Sequence, residues 1–302
     1  MVTPALAETG EGAGQKEPEQ RGKRFEALHF AFHNTKLVIG LTIVLLLLAV
    51  AIIGPYFTSS DPFAFGYPTG QPPSSHYWFG TTAPGQDVFC QFVYGLRSSF
   101  IVGALAALVA GLIGMAIGFI GGYRGGIVDD ILSMLTNVVL VIPTLAVLII
   151  VAAYLSVGSL TSEAILIGLT SWPWAARAIR AQTFSLAARD FVNLARLSGR
   201  GTTRVVVNEI APNMSSYLFL VFILLFGGSV LTAATLDFLG LGPSQVMSLG
   251  LMMNQAVSNA ALQLGYWWWF IPPGIAITAL VGGLYVMNVG LDEVFNPRLR
   301  ST

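Results

Sequence analysis

Six long apolar runs dominate the chain, roughly Leu37–Phe57, Ser98–Tyr123, Ile127–Leu155, Ser162–Ile179, Met214–Leu236 and Tyr266–Val289. A run of about 20 mostly apolar residues is long enough to cross the hydrocarbon core of a bilayer as a helix. In lipid the backbone must satisfy its own hydrogen bonds, which makes helices the element that fits runs of this length. The chain therefore reads as an all-α polytopic membrane protein with six transmembrane helices. Composition agrees: 54% hydrophobic and only 10% charged residues are too apolar a mixture for a soluble domain. The fourth run is the most polar. It carries Glu163, Trp172, Pro173 and Trp174, and Pro173 predicts a kink. It counts as a crossing because an even number fits the charges. The first run starts 36 residues in and outlasts a signal-peptide core, and Gly54-Pro55-Tyr56-Phe57 is a poor cleavage site, so it reads as a retained helix.

Charge sets the expected orientation. Six crossings leave segments 1–36, 124–126, 180–213 and 290–302 on one side. Lys16, Arg21, Lys23, Arg24 and Lys36 lie in the first, Arg124 in the second, and Arg298 and Arg300 in the last. The third, with its approach, holds Arg177, Arg180, Arg189, Arg196, Arg200 and Arg204. That side takes 14 of the 15 basic residues and leaves only Arg97 opposite. The positive-inside rule then predicts that both termini face the cytoplasm of a plasma-membrane protein.

The segments divide as follows. Residues 1–36 form a cytoplasmic tail, of which 1–24, rich in Gly, Glu, Gln and Ala, read as disordered. For 25–35, with Phe25, Leu28, His29 and Phe32 at helical spacing, two readings stand: a short interfacial helix, or an extension of the first crossing. Crossing 37–57 is followed by an extracytoplasmic loop, 58–97, with too many turn formers for a helix and enough aromatics for a folded cap. Residues 98–289 form a core with five crossings, and 290–302 a cytoplasmic C-terminus. Glycines in the second crossing, among them Gly114, Gly118 and Gly122, predict close helix packing. Trp267, Trp268 and Trp269 fit an aromatic belt, and Pro272-Pro273 a helix start or bend. The single cysteine, Cys90, excludes an internal disulfide and reads as a small packed residue. Zero formal net charge gives no sign of nucleic-acid binding.

The polar insert 185–213 between the fourth and fifth crossings is the part with no structural need in a membrane bundle. Ala187, Phe191, Leu194, Ala195 and Ser198 fall on one helical face, and Arg189, Asn193, Arg196 and Arg200 on another. Gly199 and Gly201 end that helix. Thr202 or Thr203 caps a second helix over Val205–Ile210, and Pro212 suits the first turn of the next crossing. The physics leaves two readings open: an amphipathic pair with its arginines on lipid phosphates, or a docking element for another protein.

The insert resembles the EAA loop of ABC-importer permeases, in which Glu-Ala-Ala is followed after three residues by Gly and later by an Ile-x-Leu-Pro-like ending. The chain offers Asn193-Leu194-Ala195, Gly199 and Ile210-Ala211-Pro212-Asn213, so Asn193 replaces the acid and Leu194 the first alanine. Further motifs follow in order over about residues 25–300. They include His76-Tyr-Trp-Phe-Gly-Thr81, Gly85-Gln-Asp87, Tyr94-Gly-Leu-Arg97, Gly121-Gly-Tyr-Arg-Gly-Gly126, Asp129, Phe238-Leu-Gly-Leu-Gly242 and Leu291-Asp-Glu-Val-Phe-Asn-Pro-Arg-Leu-Arg300. Together they are similar to the second, C-type permease of the dipeptide/oligopeptide/nickel family. The chain departs at Asn137 and at Asp237, where that family often carries Asp and Ser.

The resemblance implies a type I ABC-importer transmembrane fold and a non-catalytic permease subunit. It implies a second, homologous permease as partner, two cytoplasmic ABC ATPases, an extracytoplasmic solute-binding protein and surrounding lipids. The chain has no G-x-x-x-x-G-K-[ST] phosphate loop, so no cofactor is expected in it and ATP with Mg falls to the ATPases. Expected coupling residues are Ala187, Phe191, Asn193, Leu194, Ala195, Arg196, Gly199, Ile210 and Pro212. For Gly199 a purely helix-ending role is the alternative. Polar or aromatic residues in or beside apolar runs are candidates for the solute path: Asn137, Trp172, Trp174 and Asp237. Asn137 equally fits a bond to a neighbouring helix, and Asp237 a helix-end position. Glu163 fits a helix-dipole partner. The solute class implied is dipeptides, oligopeptides, nickel chelates or oligosaccharides. An ion-coupled secondary transporter is the rival reading, but it requires membrane-depth acids or broken helices, and the sequence shows few such acids and no inverted repeat.

Overall fold

The computed structural model describes residues 33–59, 61–155 and 157–295. The tail 1–24, most of 25–35 and the arginines at the C-terminus lie outside these residues. Every element in the described residues longer than a single bridge is helical.

Helix α1, Thr35–Ile53, is capped by the Asn34 side chain and runs into a tighter turn, Gly54–Phe57. Helix α2 is Val88–Arg124 and α3 is Gly126–Val141. Helix α4 is Thr144–Leu155 and α5 is Leu160–Ala187. The insert contains α6, Asp190–Leu197, α7, Thr202–Val205, a π turn over Val206–Ile210, and α8, Ala211–Asn213. Helix α9 is Ser215–Phe238, α10 is Leu249–Ser258 and α11 is Trp267–Phe295.

Four of these, α1 with its turn, α2, α9 and α11, are each long and apolar enough to cross a membrane. The pair α3–α4 makes a fifth, but it is bent by 78°. The sequence predicts one continuous crossing there. Pro143 breaks it, because a residue before proline is driven from the helical region, and Ile142 is extended at φ −75° and ψ 127°. Helix α5 is the sixth. Its 28 residues reach about 42 Å at 1.5 Å per residue, more than a bilayer core of about 30 Å. Glu163, Arg177 and Arg180 dilute its hydropathy. It runs through Pro173 unbroken.

Helix α2 starts ten residues before its predicted crossing, so the loop expected over 58–97 ends at Asp87, whose side chain caps α2 by accepting from Phe89 N. The loop between the fifth and sixth crossings, about 237–265, contains a helix, α10, capped by Ser248.

The centre of the bundle is the contact between α2 and α5. Gly114, Gly118 and Gly122 recur every fourth residue along α2. A Cβ on Gly114 would meet Ala175 Cβ at 2.8 Å, one on Gly118 Ile179 Cβ at 2.9 Å, and one on Gly122 the Arg180 carbonyl at 2.7 Å. Small residues thus bring the two backbones together, as in other membrane helix pairs. Helices α1 and α11 meet the same way at Gly40 and Gly290. Asn34 Nδ2 bonds Glu293 at 2.7 Å, and Lys36 pairs with the same carboxylate, so the start of α1 is fixed to the end of α11.

At the end of the bundle away from the basic insert, residues 61–87 form a folded cap. Trp268 Nε1 donates to the Thr81 carbonyl at 3.1 Å and Trp269 Nε1 to Gln91 Oε1 at 3.2 Å. Gln91 in turn donates to Gln86, and Gln86 to the Phe63 carbonyl. Trp268 and Trp269 are buried under this cap, and only Trp267 is exposed in the manner of a belt residue. A buried indole needs an acceptor for its N–H; the cap supplies one to Trp268, and the first turn of α2 supplies Gln91 to Trp269. Helix α11 starts at Trp267, ahead of Pro272 and Pro273, which both lie inside it.

Candidate functional site

The insert is a compact corner on the basic end of the bundle. Helix α6 ends in two bonds that define a Schellman cap: Gly199 N–H to the Arg196 carbonyl at 3.0 Å, and Arg200 N–H to the Ala195 carbonyl at 3.3 Å. That cap requires a left-handed residue, and Gly199 has φ +75°. Arg200 then pairs with Glu209, which clamps the two arms of the corner. Asn213 Nδ2 donates to the Glu209 carbonyl at 2.6 Å. The second arm begins at Gly201, and Thr202 and Thr203 lie inside its first turn instead of capping it.

The buried face of α6 is not the one the apolar spacing predicts. Val192 is 0% exposed and Ala195 is buried, with Phe191 half-buried against the same cluster as Val205, Ile210 and Met214. Leu194 is 64% exposed and Leu197 85% exposed, so both point away from the bundle. The helix leans on its own protein through small and branched side chains and offers its leucines outward. Among the remaining expected residues, Ala187 is half-buried at the end of α5, Ile210 is fully buried, and Asn193 and Pro212 are exposed. Arg196 lies over the Tyr123 ring at the end of α2. Around Gly199 no atom stands within 4 Å of an added Cβ, which leaves open space beside the corner.

Two cavities lie along the α3–α5 side. The first, about 350 Å³, sits at the Pro143 break and is lined by Trp174 and by the hydroxyls of Thr144, Thr170, Ser171, Ser229 and Thr232. The second, about 360 Å³, is lined by Ser133, Thr136, Asn137, Arg177 and Arg180, with Ile117 and Leu132. It lies toward the basic end. Arg180 binds Asp129 with two nitrogens. Arg177 Nη2 donates to Asn137 Oδ1 at 2.6 Å.

Of the four path candidates, the structure puts Asn137 and Trp174 on these cavities. Trp172 packs in the apolar cluster of α2, α5 and α9. Asp237 is 5% exposed at the end of α9, under Gly242 of the following loop and Gly250 in the first turn of α10, and lines neither cavity. Its carboxyl adjoins that of Glu163, which is 1% exposed at the start of α5, and the Ser248 hydroxyl lies beside it. Sequence reasoning passed over Leu197, the cavity hydroxyls and the Arg177–Asn137 contact. The spacing of Ser229 and Thr232 at i and i+3 in an apolar run was the readable signal for the hydroxyls.

A bundle of small-residue helix contacts, with a rigid amphipathic corner at one end and cavities between broken and continuous helices, defines a membrane permease. The chain matches the family of binding-protein-dependent transport system inner membrane components over residues 111–301. It is 31% identical over 304 residues to the oligopeptide transport system permease protein OppC of Bacillus subtilis, covering 99% of this chain and 97% of that one. It is 32% identical over 274 residues to the dipeptide transport system permease protein DppC of Alkalihalophilus pseudofirmus, covering 89% and 88%. The DppC of Bacillus subtilis is 30% identical over 269 residues, covering 88% and 83%.

The chain belongs to this family of inner membrane components. Within it, the protein is a C-type permease subunit of an ABC importer, a multi-pass, non-catalytic membrane component that works with ATPase and binding-protein partners.

Proposed function

We propose that this permease forms half of a translocation path for peptides or a related small solute, together with a second, homologous permease. Two cytoplasmic ATPases dock beneath the pair and hold the ATP and Mg that this chain has no loop to bind. A solute-binding protein delivers from outside. The basic end, with 14 of 15 Lys and Arg residues by the sequence division, faces the cytoplasm.

The observation that carries the reading is the outward presentation of Leu194 and Leu197 on a clamped corner beside open space at Gly199. Exposed leucines on a short polar segment cost solvation unless a partner covers them. A corner that is held by the Arg200–Glu209 pair, joined to α5 by two residues and packed against the bundle through Val192 and Ala195 moves as one piece, so closure of an ATPase pair around α6 tilts α5 and changes access to the cavities. The relatives' names, which are those of dipeptide and oligopeptide permeases, support the solute class.

The test is Leu194→Asp combined with Leu197→Asp in the complete transporter. The variant is expected to insert and pair normally but to lose copurification of the ATPases and all ATP-driven uptake. Retention of both, or wild-type uptake that follows an ion gradient in the absence of ATP, would remove the docking reading.

A further inference from the structure

We infer that Arg177, oriented by Asn137, is an anion-recognition point in the solute track, and that the group it takes is a carboxylate of the travelling solute. This deepens the peptide reading above and rests on it.

Both cavities draw on α3 and α5; the first is lined also by α9, Thr144 and Tyr285, and the second by Ile117 of α2. Asn137 of the second is followed within three residues by Val139 and Leu140 of the first, and Arg177 lies three residues, one turn, beyond Trp174. The two cavities, about 350 and 360 Å³, thus follow one another along α3 and α5. The first chamber offers hydroxyls and an indole, all neutral. The second offers two arginines and no carboxylate among its lining residues.

The two arginines are not equivalent. Arg180 is neutralised by Asp129 through a two-nitrogen contact from outside the chamber. Arg177 has a neutral amide oxygen as its partner and makes no ion pair among the described residues. A guanidinium carries five N–H donors in a planar fork. Asn137 occupies part of that fork and fixes its direction, and the rest faces the chamber with its charge uncompensated. A guanidinium held in one direction takes a carboxylate in a bidentate pair. The Ser133 hydroxyl donates to Asp129 and the Thr136 hydroxyl to the Leu132 carbonyl, so recognition of a carboxylate in this chamber falls to Arg177.

The experiment uses the complete transporter in proteoliposomes with MgATP. Uptake of a labelled tripeptide is compared with uptake of its C-terminal amide for wild type, Arg177→Gln and Asn137→Asp. The binding protein is the same throughout, so its own preference cancels in the variant-to-wild-type ratio. Arg177→Gln is expected to lower the acid-to-amide uptake ratio about tenfold, the size of one charged hydrogen-bonded pair. Asn137→Asp, which gives Arg177 an internal carboxylate, is expected to lower it in the same direction and serves if the first variant does not assemble. A ratio unchanged in both variants overturns the assignment and leaves the peptide reading standing. Failure of wild type to import either peptide overturns both.

Discussion

Arg196 of α6 lies over the ring of Tyr123, with its guanidinium carbon 4.6 Å from the ring centroid and its Nε donating to the tyrosine hydroxyl at 3.1 Å. Tyr123 is the second-last residue of α2, the helix that packs along the whole of α5. The contact therefore joins the outward-facing corner to a second helix of the bundle besides the one it follows in sequence. An exposed cation–π contact and one hydrogen bond are each worth about 1 kcal/mol or less. Tyr123→Leu removes both, and it is expected to raise the ATP hydrolysed per solute imported severalfold while the ATPases still copurify. Tyr123→Phe keeps the ring and should show a smaller rise. Parallel measurement of phosphate release and uptake in proteoliposomes reads this ratio, and an unchanged ratio for Tyr123→Leu would confine transmission to α5.

Gly199 offers a way to separate a helix-ending role from a docking role. Its φ of +75° costs an ordinary side chain about 1–2 kcal/mol of backbone strain, and asparagine less. No neighbour stands within 4 Å of an added Cβ, so the isolated chain has room for any side chain. If the glycine only ends α6, Gly199→Asn should import at nearly the wild-type rate and Gly199→Val should be modestly impaired. If an ATPase surface fills the open space, both variants should fold, with small shifts in Tm, and both should lose most uptake. We expect the second outcome, read by thermal unfolding of the purified permease beside uptake by the assembled transporter.

Apolar run length made five of the six spanning segments legible, because a bilayer imposes a length and the backbone leaves few ways to meet it. The interior of the third run was less so: Pro143 marks the break, but the 78° bend depends on how α4 packs afterwards. The corner at Gly199 was readable from its glycines; the threonine cap was not, because Gly201 takes the capping position. Its facing was not, since Leu194 and Val192 both fit an apolar stripe, and only tertiary contact with Val205 and Ile210 decides that the branched residue goes in and the leucine out. Arg177 and Asn137 lie 40 positions apart, and nothing local to either predicts that they meet.

Glu163 is a buried acid without a donor. No described residue gives a hydrogen bond to either of its carboxyl oxygens, and its neighbour Asp237 is another acid. Burying an oxygen that has no donor costs about 1–3 kcal/mol. Glu163→Gln preserves shape and puts an amide donor beside Asp237 in place of a second carboxyl, so that no proton has to be shared between the two acids. It is expected to raise the Tm of the detergent-purified permease. A lowered Tm would mean that the carboxyl itself is needed at the start of α5.

Gly242 and Asp237 test how the second loop is fitted to α9. A Cβ on Gly242 would fall on the Asp237 Oδ1 atom, and one on Gly250 would stand 2.7 Å from Asp237 Cβ. The loop is thus folded directly onto this carboxyl, and glycine at 242 is what permits it. Gly242→Ala overpacks a site that is 5% exposed at Asp237, at a cost of about 1–3 kcal/mol. Asp237→Ser shortens the side chain by one carboxyl oxygen and its carbon, and clears the place the new methyl group needs. In the Asp237→Ser background Gly242→Ala should therefore cost less than half as much, with a coupling of about 1 kcal/mol or more in the double-mutant cycle. Thermal unfolding of the four purified permeases supplies all the terms. Additive costs would show that the loop moves aside to admit the methyl group, and that Asp237 does not hold it in place.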